Sequence, residues 1–99
     1  LNLANALQYL PSVHQGENLD EAVNLYEEIL QHRDPDLDPL GYARILANQG
    51  NALGHLGVFS DARQRLATAR DIFARQGDAE SVAGVDEIIT SLNEAEAAK

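Results

Sequence analysis

The sequence predicts an all-α domain of paired, repeated helices, and three observations carry that prediction. Apolar residues recur three and four apart along nearly the whole chain, the spacing of one helix face. No useful length alternates with a period of two, so strands are not expected. The block Asn2-Leu3-Ala4-Asn5-Ala6-Leu7 returns as Asn48-Gln49-Gly50-Asn51-Ala52-Leu53. Each copy precedes a second apolar segment built around an alanine, Glu21-Ala22 and Asp61-Ala62. Such self-similarity marks helical hairpins that bury their faces on one another.

The elements follow in order. Leu1 to Leu10 forms the first helix. From Leu19 the series Leu19, Ala22, Val23, Tyr26, Ile29, Leu30 makes the inner face of a second, with Asn18 as cap and Glu21 completing a capping-box-like pair. Pro35 blocks continuation, so this helix should stop near Arg33. Asp38 followed by Pro39 starts a third, a capping carboxylate with proline in the first turn. It turns Leu40, Ala43, Leu46, Ala47, Gly50 and Leu53 inward, and Gly54 and Gly57 end it. Ser60 is expected to cap the fourth helix, with Phe59, Ala62, Leu66, Ala69, Ile72 and Phe73 facing the core. Gly77 terminates that helix and Asp78 caps the fifth, which carries Val82, Val85, Ile88, Ile89 and Leu92 before fraying from Glu94 onward. The whole chain, 1–99, reads as one domain: a first unit at about 1–33, a second at about 39–76, and a partial or capping unit at 78–97.

Composition narrows the function. A chain of 99 residues buries roughly 65 % of its unfolded surface. Without Cys, disulfides and thiolate metal sites are excluded. The net charge is −9, from 16 acidic and 7 basic residues. That balance argues against nucleic acid and against anionic membranes, both of which select clustered Lys and Arg. It permits a basic partner, although a solubilising surface accounts for it equally well. No apolar run approaches the ~20 residues of a membrane span, and no basic-then-apolar leader is present. The start at Leu1, inside a helical pattern, suggests a piece of a longer protein, and a cytoplasmic location is expected.

From Gly50 through Ala62 to the small residue Gly84 the spacing is about 34 residues, the tetratricopeptide period. The run Asn48-Gln49-Gly50-Asn51-Ala52-Leu53-Gly54-His55-Leu56-Gly57-Val58-Phe59-Ser60-Asp61-Ala62 resembles that family's pattern of small residue, Leu-Gly, aromatic, acidic-Ala. Ala4, Leu7, Ala22 and Tyr26 carry the resemblance into the first unit, and Gly84 into the third. The first unit is longer, with its surplus around Pro11 to Gly16 and Asp34 to Pro39, where loops absorb insertions. The resemblance spans essentially the whole chain, about two and a half repeats, although no unit has the full signature. It implies a right-handed solenoid of about five helices and a scaffold for protein binding. The long loops most resemble bacterial tetratricopeptide regions attached to signalling ATPases or caspase-like proteases.

No catalytic constellation is expected. His14, His32 and His55 lie in separate segments with no partner at metal-ligand spacing. Asp34-Pro35-Asp36-Leu37-Asp38 imitates the opening of a calcium loop but places Pro39 where glycine is required and Ile45 where the closing glutamate belongs. Gly50, Gly54 and Gly57 form no phosphate cradle, and the serines lack a His-acid pair. No cofactor or metal is anticipated. What remains is the asparagine pattern: Asn2 and Asn5, then Asn48 and Asn51, three apart on the first helix of each unit and so on one face. In the resembled family such a face lines a concave groove, where an amide both donates to and accepts from a peptide backbone. Arg44 and His55 lie near the same face, placed to meet a carboxylate. The family's carboxylate-gripping version has Lys one turn earlier, where this chain has Leu1 and Ala47, so a C-terminal chaperone tail is not the expected ligand. The site predicted from sequence is Asn2, Asn5, Arg44, Asn48, Asn51 and His55, binding a peptide or protein segment. The alternatives are self-association through Leu1–Leu10 or Val82–Leu92, and regulation of a larger ATPase or protease.

Overall fold

The computed structural model of the protein describes residues 15–98, with side chains from Leu19 onward. These residues form four helices: α1 (Gln15–Gln31), α2 (Pro39–His55), α3 (Phe59–Arg75) and α4 (Ala79–Ala97). No strand occurs among them. The predicted helix Leu1–Leu10, with Asn2 and Asn5, lies outside the described residues. No described helix is long and apolar enough to cross a membrane.

α1 starts before Asn18, which therefore sits within its first turn and does not cap it, since a capping residue must leave helical backbone angles. It ends at Gln31, and its last carbonyls are closed by His32 N–H to Ile29 (3.1 Å) and Arg33 N–H to Leu30 (3.3 Å). Leu19 and Leu30 are buried, but Ile29, expected inside, is 40 % exposed and Leu25 is 58 % exposed. The apolar surface of α1 is thus wider than the stripe its packing on α2 covers.

The next start follows the sequence closely. Asp38 Oδ1 accepts from Gly41 N–H at 3.0 Å, and Pro39 opens α2, where its missing N–H costs nothing. The preceding loop is tied by Asp34, whose carbonyl accepts from the Leu37 and Asp38 N–H groups and whose Oδ1 accepts from Asp36 N–H at 2.9 Å.

The two turns that follow share one backbone design. Gly57 and Gly77 sit at φ 85° and 75°, left-handed angles that a Cβ penalises. After each, the next N–H reaches back to close the helix: Val58 to Leu53 O (3.0 Å) and Asp78 to Phe73 O (2.9 Å), a Schellman closure. Gly54 lies inside α2, so only Gly57 acts as the terminator. Ser60 is likewise within α3; the cap position belongs to Val58, whose side chain makes no capping bond. At the corresponding place Asp78 accepts from Ser81 N–H at 3.2 Å.

The core lies where α2 is enclosed. Ala43, Leu46, Ala47 and Leu53 join Phe59, Ala62, Leu66, Ala69 and Phe73 of α3 with Val85 and Leu92 of α4. Glycine lets the backbones meet: a Cβ on Gly50 would stand 2.7 Å from Leu66 Cγ and 3.1 Å from the Ala62 carbonyl oxygen. At Gly54 a Cβ would stand 2.9 Å from Leu92 Cδ1. Consecutive helices run antiparallel. Arg63, early in α3, bonds Asn93 (3.1 Å) and Glu96 (2.6 Å), late in α4, while Arg70 holds Asp86 at 2.6 Å. α2 and α4 consequently run in the same direction on one side of α3.

Candidate partner-binding cleft

Between α2 and α4 lies an open cleft of about 330 Å³, lined by Asn51, Gly54 and His55 on one side and Glu87, Ile88, Ser91, Leu92 and Ala95 on the other. Its geometry follows from the glycine. Leu92 fills the space that a Gly54 side chain would take, bringing the helices together at the floor. Buried Leu92 and half-buried Ile88 give it an apolar floor, and the exposed His55, Glu87 and Ser91 offer imidazole, carboxylate and hydroxyl groups.

The structure brings some of the predicted site residues together. Arg44, Asn48, Asn51 and His55 follow one another at helical spacing along α2. Asn51 and His55 line the cleft. Arg44, exposed, is near the opposite end, close enough to Asp78 for its charge to act on that carboxyl. The Asp78 carboxyl is held below its ordinary value chiefly by the Ser81 hydroxyl (2.7 Å), then by the Ser81 N–H, with Arg44 adding a smaller push. Asn48 is closed off from solvent at 1 % exposed, and Asn51, at the cleft wall, is only 6 % exposed. Burial of α2 from Leu46 through Leu53 without interruption is the reason. Among the described residues Asn48 Oδ1 has no hydrogen-bond partner, and a buried amide oxygen left so bears a desolvation cost.

Gln49 belongs to a different, structural network. Its Nε2 donates to Val23 O (3.2 Å) and Glu27 Oε1 (2.9 Å), and Arg65 reaches the same Glu27 oxygen at 3.2 Å. The Glu27 carboxylate of α1, accepting from Gln49 of α2 and Arg65 of α3, thereby ties the three helices together. Nothing in the one-dimensional pattern isolates Gln49 from its asparagine neighbours. The α4 wall of the cleft was also missed, although Glu80, Gly84, Glu87 and Ser91 recur at the same spacing that marked the α2 face.

Among the described residues no group of three His, Cys, Asp or Glu side chains is placed to hold a metal ion. Asp34 and Asp38, from the calcium-loop imitation, are engaged in the turn and the cap. Comparison with family models, with curated proteins and with solved structures returns no match for this chain.

Proposed function

We propose that this chain is a non-enzymatic interaction module: a tetratricopeptide-like stack of helical hairpins whose first-helix side, α2 and α4, receives a peptide or protein segment. The observation that carries the reading is the cleft between these two like-directed helices, apolar at its floor and polar along its rim. A linear segment suits such a trough, because backbone groups meet the Ser91 hydroxyl while an apolar side chain packs on Ile88. Close approach at Gly50 and Gly54 fits hairpins that stack with a constant step.

Selection of a displayed library of random linear peptides on the 99-residue chain tests this. Enriched peptides should lose at least about tenfold in affinity on Ser91→Trp, which fills the cleft from an exposed position. Failure to enrich any peptide, or binding indifferent to Ser91→Trp, contradicts it.

Self-association is the second reading, and one observation favours it: Leu25 and Ile29 stand exposed one turn apart on α1. The C-terminal segment is a poorer candidate for that role, because Val85 and Leu92 are spent in the core. Sedimentation at two concentrations, with Leu25→Lys as comparison, separates this reading from the first.

A further inference from the structure

We infer that the cleft between α2 and α4 selects a cationic segment, seating a Lys or Arg side chain of the partner at its Asn51–His55 and Ser91–Ala95 end. The inference rests on the interaction reading above and adds the chemistry of the partner to it.

Three observations converge on a positive ligand. First, the cleft is built from the C-terminal turns of two helices that point the same way. Asn51, Gly54 and His55 are the last turn of α2, and Ser91, Leu92 and Ala95 approach the end of α4. Each helix C-terminus carries roughly half a negative charge, so two such ends sum at one place. Second, the α4 rim is acidic. Glu87 lines the cleft, and Glu94 lies one heptad further along the same side, both exposed and neither in an ion pair among the described residues. α4 has no basic residue of its own in its last turn; Arg63 of α3 pairs with Glu96 there, and His55 is the basic residue in the last turn of α2. Third, the arginines already face acidic groups other than Glu87 and Glu94. Arg33, Arg63, Arg65, Arg70 and Arg75 hold Asp38, Glu96, Glu27, Asp86 and Asp71. Arg44 stands beside Asp78 at the far end of the helix pair. An arriving cation would therefore meet, in Glu87 and Glu94, carboxylates that no arginine among the described residues pairs with, while its aliphatic stem covers Ile88 and Ala95.

The test uses labelled twelve-residue peptides of equal length, one Lys/Arg-rich, one Glu-rich and one Ser/Asn-rich, titrated by fluorescence anisotropy at two salt concentrations. The basic peptide should bind tightest and weaken with salt. The double variant Glu87→Lys/Glu94→Lys should reduce its affinity at least about fivefold. Glu21→Lys/Glu28→Lys, with the same change in charge at exposed positions on α1, should change it less than about twofold, which separates a sited cation from attraction to net charge. Equal losses from both variants overturn the inference, as does preference for the neutral or acidic peptide. Peptides selected from the random library distinguish the two levels of the account. Ser91→Trp-sensitive binders without Lys or Arg remove the cation and leave the interaction reading intact; an absence of cleft-dependent binders removes both.

Discussion

The two sides of α2 are built on opposite principles. Towards α3 the helix has Gly50 set against Ala62 and Leu66 so closely that a methyl group has no room. Towards α4 the same helix approaches closely at Gly54, where Leu92 takes the space of a side chain, and beside that contact the two helices line a cleft. Small residues serve both purposes. On one side they eliminate space, and on the other a single glycine draws two helices together at a floor and leaves their upper edges free. Packing density and an accessible trough thus come from one helix, whose buried stretch from Leu46 to Leu53 supplies the rigidity a preorganised surface needs.

The strongest way to break the contrast is Gly50→Leu. Helix propensity would favour the change by up to ~1 kcal/mol. Overpacking against Leu66 and the Ala62 carbonyl outweighs that, so a net destabilisation near the upper end of ~1–3 kcal/mol is expected in urea unfolding. Gln49→Ala comes next. It removes the bonds to Val23 and Glu27 and leaves a void beside them, costing about 1–2 kcal/mol by the same assay.

The two Schellman turns offer a gain. Val58 has backbone angles of −89° and 73°, almost those of the capping residue Asp78 at −91° and 76°. Val58→Asp should therefore add about 0.5–1 kcal/mol by satisfying an N–H at the start of α3. Asp78 itself predicts a pH dependence. Its carboxyl is lowered in the folded state, so its contribution is complete above the ordinary value of 3.8 and is lost as pH falls through the lowered value. The melting temperature should drop on acidification below that point, less steeply in Asp78→Ala. The smallest effect belongs to the open side: Ser91→Trp should move stability by no more than ~0.5 kcal/mol. A large loss there would mean that the cleft is packing surface.

How much of this was legible beforehand differs from residue to residue. Asp38-Pro39, Gly57, Gly77 and Asp78 announce helix boundaries through backbone chemistry that acts locally, so they read correctly. Asn18 and Ser60 carry the same capping chemistry and misled, because capping depends on where the helix starts, and both helices start earlier, at Gln15 and at Phe59. The inner series of α1 overran at Ile29 because periodicity marks an apolar face without saying how wide a neighbour will cover it. At the cleft, Asn51 and His55 were legible as one face of α2. Burial of Asn48 was not, since enclosure depends on three-dimensional neighbours. As both asparagines are buried, their joint replacement by alanine disturbs packing as well as any bound segment. Ser91 and Glu87 are the cleaner probes.

The most direct measurement is an NMR titration of the isotope-labelled 99-residue chain with a peptide selected on it. The account predicts that amide shifts concentrate at Gly54, His55, Glu87, Ser91 and Ala95, with α1 unmoved. Perturbations gathered instead around Leu25 and Ile29, with the walls of the α2–α4 cleft silent, would contradict it.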